Sequence, residues 1–278
     1  MDFGFADAAW LILIGVVAGG SGGLLGIGGS VVMIPGMILL FGPERQHLYQ
    51  AAAMIVNFFV MAPAVWQHYR AEATLRSVTR WMIPSAIIGI VLGVYSSELG
   101  VFRGAGRGYL QIMFAVFLVY VVGYNVWRLR TQWRLPPMDD VSARQLSKWR
   151  IVALVGLPTG ILGGLLGIGG GLMAVPAQQL ALKMPLPRAI ANSASTIVWS
   201  SIIGAVLKNS RLGDHGFTLG QSLVLSACLI PSAMAASWYT SAKVHRWPVS
   251  AIRVAFVIVL LYAGIHVFVK GWQQVHGG

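Results

Sequence analysis

Gly22-Gly23-Leu24-Leu25-Gly26-Ile27-Gly28-Gly29 returns, letter for letter, as Gly163-Gly164-Leu165-Leu166-Gly167-Ile168-Gly169-Gly170, 141 positions further along a chain of 278 residues. The match runs on through apolar residues to a proline at the same offset, Pro35 in one copy and Pro176 in the other. The chain therefore reads as two copies of one unit, each with a glycine tract and the segment behind it. Each glycine costs about 1 kcal/mol relative to alanine in a helix interior. Five in eight residues predict a break in any helix that contains the tract.

The surroundings of both tracts are membrane sequence. Apolar residues make up 56% of the chain and charged residues only 10%, with a mean hydropathy of +0.73, too apolar for a domain with a water-facing surface. Apolar stretches run at about 10–41, 49–66, 81–97, 109–127, 151–182, 189–207, 217–242 and 250–269, four per half. Most approach the ~20 residues that cross about 30 Å of hydrocarbon. Stretches 10–41 and 151–182 have 32 residues each, and as unbroken helices they would be ~48 Å long. Each holds a glycine tract in its middle, which predicts two half-helices joined by an unwound turn at mid-membrane. Asp2 and Asp7 precede Trp10 without any Lys or Arg, so the first stretch reads as mature protein rather than a secretory signal. Cys228 is the only cysteine, which leaves no disulfide framework and no thiolate metal site.

The formal net charge of +12 does not point to nucleic acid. The 20 Lys and Arg lie between apolar spans, where the positive-inside rule puts them. If each broken stretch is a re-entrant hairpin, each half has three crossings, and that odd number inserts the second half upside down. With the N-terminus outside, 14 of the 20 basic residues then lie on the cytoplasmic side; if the broken stretches cross, the better orientation collects 12. The expected fold is an all-α integral membrane protein of two inverted repeats with about four helical segments each. Its parts are an N-terminal repeat 1–127, a cytoplasmic linker 128–150 and a C-terminal repeat 151–278. The linker carries Pro136-Pro137 and Asp139-Asp140 between basic clusters and reads as a connector, with Trp127, Trp133 and Trp149 as interfacial anchors. Each half also has a Pro-Ser-Ala triplet, at 84–86 and 231–233.

Chemical groups are scarce at mid-membrane. All eight acidic residues fall in tails, linkers or span ends, which argues against a buried-carboxylate proton relay. The histidines are peripheral or, for His266, near the end of the last span. No group of His, Asp or Glu has metal-ligand spacing in the sequence, and neither a catalytic residue nor a cofactor is implied. Ser21 lacks a neighbouring base and reads as a packing residue. What remains is backbone. The half-helices that start after the tracts present unpaired N–H groups near Gly28, Gly29 and Ser30, and near Gly169, Gly170 and Gly171, with the positive end of a helix dipole. Two such ends attract an anion, and paired Gly-interrupted segments mark transporter sites. Asn57 in the first half and Asn192, Ser195 and Thr196 in the second are the side chains expected to complete the site. Close helix packing competes with this reading, because Gly19 and Gly23, and Gly22 and Gly26, have small-xxx-small spacing.

The duplicated Gly-Leu-Leu-Gly-Ile-Gly-Gly tract, the proline after it and Asn192-Ser193-Ala194-Ser195-Thr196 resemble the sulfite exporter TauE/SafE family over nearly the whole chain. The resemblance implies a multi-pass bacterial inner-membrane exporter or permease for small sulfur-containing anions such as sulfite, sulfoacetate or other organosulfonates. Its expected partners are that anion and membrane lipid, with a homodimer left open. An anion channel and a membrane-embedded enzyme are the competing readings. Ala51-Ala52-Ala53-Met54 stands opposite Asn192-Ser193-Ala194-Ser195 in the repeat, so the side-chain ligands are expected from one half.

Overall fold

The structure, a computed structural model, describes residues 5–102, 107–131, 138–243 and 249–276. Asp2, Trp133, Arg134, Pro136, Pro137, His245 and Arg246 lie outside the described residues. Each apolar stretch is helical, and the glycine tracts are where helices stop. The first stretch is α1 (Phe5–Leu25) and α2 (Ser30–Phe41), followed by α3 (Gln46–Arg70), α4 (Arg76–Ser97) and α5 (Arg107–Thr131). A short α6 (Asp140–Arg144) lies in the linker. The second half opens with a π-helical turn (Arg150–Gly156) that runs into α7 (Leu157–Leu166), then α8 (Gly171–Ala181), α9 (Leu186–Ser210), α10 (Leu219–Lys243) and α11 (Val249–His276). Six helices among the described residues are long and apolar enough to cross a membrane: α1, α3, α4, α5, α9 and α10. Their outward faces are apolar, with Ile12, Ile88, Val116, Val119 and Val206 all half exposed or more. Lipid tolerates such a surface and water does not.

The glycines divide into two jobs. Gly15, Gly19 and Gly23 form one face of α1, four residues apart, and this face lies on α10. A Cβ on Gly19 would stand 2.0 Å from the Ala233 carbonyl oxygen, and one on Gly23 would stand 2.7 Å from that of Ser237. Their copies Gly156, Gly160 and Gly164 press on α4 in the same way: a Cβ on Gly160 would meet the Ala86 oxygen at 2.1 Å. The first helix of each half therefore packs on a helix of the other half. The Pro-Ser-Ala triplets are the surfaces that receive them, with Ser232 and Ala233 against Gly15 and Gly19, and Ser85 and Ala86 against Gly156 and Gly160. Small residues on both sides let the backbones approach, the contact on which membrane helices rely where hydrophobicity gives no drive.

The remaining tract glycines make the reversals. Gly26 and Gly167 end α1 and α7 with φ of +63° and +73°, a left-handed conformation that a side chain would strain. After each turn the chain folds back: Gly36 of α2 faces Ile14 of α1, and Gly170 before α8 faces Thr159 of α7. Both broken stretches are hairpins. α3 and α9 pack side by side at the centre, and their contacts run in opposite order. Gln50 meets Lys208, while Met54 meets Gly204.

The linker is tied to the first half. Asp139 caps α6 by accepting from the Ser142 N–H at 2.8 Å, and Asp140 Oδ1 accepts from the Ser77 N–H at 3.1 Å and the Ser77 hydroxyl at 2.8 Å. At this end of the molecule Arg70 stacks on Trp66, Arg76 on Tyr69, and both Arg80 and Lys148 on Trp81. Aromatic rings paired with basic heads suit a membrane interface.

Candidate functional site

The two hairpin tips meet beside Asn57. Its side chain is fully buried on α3, and its Oδ1 accepts from the N–H groups of Gly29 at 2.9 Å and Ser30 at 3.1 Å. Its Nδ2 donates to Ser30 Oγ at 2.9 Å and to the Ile168 carbonyl at 3.3 Å, and Ser30 Oγ itself donates to Ile168 at 3.0 Å. One amide thus caps the half-helix of the first hairpin and ties it to the tip of the second. The contact is reciprocal: 141 residues on from Ile27 and Ser30 stand Ile168 and Gly171, and a Cβ on Gly171 would lie 2.7 Å from the Ile27 oxygen. Hydroxyls of α9 close the junction. Ser193 donates to the carbonyls of Gly26 at 2.8 Å and Gly171 at 3.3 Å, and Ser200 donates to that of Gly169 at 3.1 Å.

Of the residues expected from sequence, Gly28, Gly29, Ser30, Asn57, Gly169, Gly170 and Gly171 come together here. The N–H groups at the start of α2 do not face open space, however, because Asn57 already accepts from them. At the start of α8 the position equivalent to Asn57 is Val198, and among the described residues no side-chain oxygen accepts from Gly170 or Gly171. The positive end left without a side-chain acceptor is that of α8, and it is buried.

Asn192, Ser195 and Thr196 do not join the junction. Asn192 accepts from the Leu75 N–H at 2.9 Å and donates to Gln178 Oε1 at 3.0 Å. Ser195 and Thr196 bond carbonyls of their own helix, those of Ala191 and Asn192. Leu75 lines a cavity of about 640 Å³ with Trp66, Arg70, Arg76, Asp140 and Arg188, so Asn192 holds the backbone of a lining residue and is the chain neighbour of Ser193 at the junction. Arg188 crosses the rim by donating to the carbonyls of Met138 and Glu72.

Sequence reasoning missed the opposite end. Gly167, at the second tip, abuts the side chain of Gln50. Gln50 Oε1 accepts from the buried ammonium of Lys208 at 2.8 Å, which also donates to Ser97 Oγ at 2.7 Å. The neighbouring Glu98, placed at a span end from sequence, is in fact buried, with Oε2 at 2.7 Å from His215 Nε2 and Oε1 at 4.0 Å from His47 Nδ1. The expectation that no His/Glu cluster exists is corrected here. The sequence holds none at ligand spacing, but the fold gathers residues 51 and 117 positions apart. Only their common place at helix ends on one side could have signalled it.

Broken helices joined tip to tip inside a lipid-facing exterior define a multi-pass membrane protein of the transporter class. The profile of the sulfite exporter TauE/SafE family matches residues 11–267, and the chain belongs to that family. It is similar to the probable membrane transporter protein MamO of Paramagnetospirillum magneticum, at 24% identity over 83% of this chain and 40% of the relative. The chain thus spans less than half the length of that protein. It is also similar to the probable membrane transporter protein YunE of Bacillus subtilis, at 23% identity over 94% and 97% of the two chains. A probable membrane transporter protein of Methanocaldococcus jannaschii is 28% identical over 70% of each. No solved structure matches.

Proposed function

We propose that this transporter moves small sulfur-containing anions, such as sulfite, sulfoacetate or other organosulfonates, out across the bacterial inner membrane by alternating access about the glycine junction. The observation that carries the proposal is the tip-to-tip contact of the two hairpins: backbone N–H and C=O groups meet deep in an apolar protein, where an anion can be desolvated against a helix dipole. The charge of the ligand rests on that dipole, and the sulfur chemistry rests on the family description. A cavity opens toward the basic end, and the buried Lys208, Glu98 and His215 close the other, which is the asymmetry of a carrier at one stage of its cycle. Gly28, Gly29, Ser30, Asn57, Gly169, Gly170 and Gly171 form the proposed binding region, and Asn192 lies on the route from the cavity. Ser195 and Thr196 reach a ligand only by releasing the carbonyls they now hold.

The proposed arrangement is a pair of inverted repeats, 1–127 and 151–278, with the 128–150 linker in the cytoplasm. Its support is that α3 and α9, equivalent by the 141-residue offset, run antiparallel. A reporter active only in the cytoplasm is expected to give signal when fused near Asp139 and none at either terminus; the reverse pattern contradicts the arrangement. A homodimer belongs to the same proposal and is read from the mass of the solubilised protein.

Transport is tested in proteoliposomes with labelled sulfite, thiosulfate, sulfonates and carboxylates. Saturable flux with counterflow is expected. Single-channel currents would instead make the junction a pore, and turnover of a substrate would make it an enzyme site.

A further inference from the structure

We propose that His47, Glu98 and His215 form a binding site for one divalent transition-metal ion of the zinc type, at the end of the molecule away from the cavity. His47 stands in the first turn of α3, Glu98 directly after α4, and His215 in the 3-10 turn Leu212–His215 that follows α9. The three side chains are almost wholly removed from solvent, and each offers a ligand atom within 4.8 Å of the others. The two imidazoles stack face to face at 3.7 Å with their planes 9° apart, and the Glu98 carboxylate contacts a nitrogen of His215 and stands near one of His47.

Four-coordinate zinc holds nitrogen and oxygen ligands at about 2.0–2.2 Å, which sets them roughly 3.3 Å from one another. The contacts of Glu98 with His215 at 2.7 Å and with His47 at 4.0 Å bracket that separation, and the stacked rings must splay for each nitrogen lone pair to aim at one ion. Two imidazoles and one carboxylate suit zinc, cobalt or nickel; magnesium and calcium prefer oxygen ligands. A fourth position is left for water. The chain resists over-charging the site, because the Lys208 ammonium stands on Ser97, next to Glu98, and competes with a cation for the same carboxylate. The imidazoles therefore supply most of the affinity. Bound there, the ion joins two helix ends of the first half to a turn of the second and clamps this end shut.

The test uses full-length protein in detergent, with any affinity tag removed, stripped with chelator and titrated with Co²⁺ and then Zn²⁺. One Co²⁺ per chain is expected, with the visible absorption of a low-coordinate imidazole site, displaced by Zn²⁺ and unaffected by millimolar Mg²⁺. His47→Gln and His215→Gln are each expected to weaken binding at least tenfold, whereas Asp214→Asn leaves it unchanged. Lys208→Met is expected to tighten binding, and weaker binding there counts against the assignment. The parent protein alone is decisive should a histidine variant misfold: no saturable Co²⁺ signal overturns the site.

Discussion

The two glycine tracts have the same eight residues and end in different conformations. Gly29, before α2, has φ of −88°, whereas its copy Gly170, before α8, has φ of +85°. The sequences of the tracts cannot cause this. The cause lies in what faces them: Asn57 accepts from the N–H groups of Gly29 and Ser30, and Val198, its counterpart, can accept from nothing. The hydroxyl of Ser30 also reaches the opposite tip, whereas Gly171 has no side chain to reach back and is pressed against Ile27 and Ile197. Identical breaks thus give one end that is capped and one that stays electropositive, and a duplicated element has become a polarised site.

The most damaging way to break the comparison is to fill a face that both tracts need empty. Gly23→Leu, with its side chain driven into the Ser237 carbonyl, and Gly26→Leu, strained by positive φ and set against Ile190, are expected to abolish folded protein. Overpacking typically costs 1–3 kcal/mol, and here the obstacle is backbone. Size-exclusion profiles of the detergent-solubilised variants check this, and a monodisperse Gly23→Leu peak would sink the packing assignment.

Asn57→Asp comes next and tests polarity rather than space. The carboxylate keeps the two contacts on the N-terminus of α2 but sets a negative charge at the junction and repels the Ile168 carbonyl. The protein is expected to fold and to lose transport at least tenfold. Normal flux would place the anion elsewhere. From sequence alone, Ser30→Asp would serve the same purpose, with the new carboxylate resting on the dipole. The structure argues otherwise, because the Ser30 side chain faces the Ile168 oxygen and an acid there meets a carbonyl.

Exchanging the residues that follow the tracts sharpens the comparison. Gly171→Ser puts a Cβ 2.7 Å from the Ile27 oxygen and is expected to lower the melting temperature more than Ser30→Gly. The latter loses two hydrogen bonds, worth roughly 1 kcal/mol each. Equal effects would mean that the tips are interchangeable after all.

The smallest effect is at the linker. The Ser77 N–H first, and then its hydroxyl and Arg144, hold the Asp140 carboxyl below its ordinary value of 3.8, against the opposing pull of burial. A depressed value means that docking of α6 on α4 is fully supported above pH 3.8 and is lost as pH falls through the lower, docked value. A spin label at Ser147 should gain mobility only in that acid range in the parent protein, and at neutral pH in Asp140→Asn.

Much of this was legible because it is local. A glycine run breaks a helix wherever it sits, apolar length announces a membrane, and a repeat offset survives divergence, so the broken helices, their number and the family could be read from residues in order. Gly19 and Gly23 were readable as packing glycines, but not the surface they meet. The Pro-Ser-Ala triplets, visible only as a repeated oddity, prove to be that surface. Asn192, Ser195 and Thr196 looked like ligands because polar residues are rare in membrane helices, yet each is satisfied close by.

By itself, the sequence determined the class of protein, the halves and the positions of both reversals, since hydrophobicity and backbone freedom act within a helix length. Only the tertiary structure decided which tract is capped, which helix receives which glycine face, and that His47, Glu98, Lys208 and His215 share one end. Those contacts join residues as far apart in the chain as Gly15 and Ser232. Their partners are chosen by how whole helices pack, and no local preference encodes that.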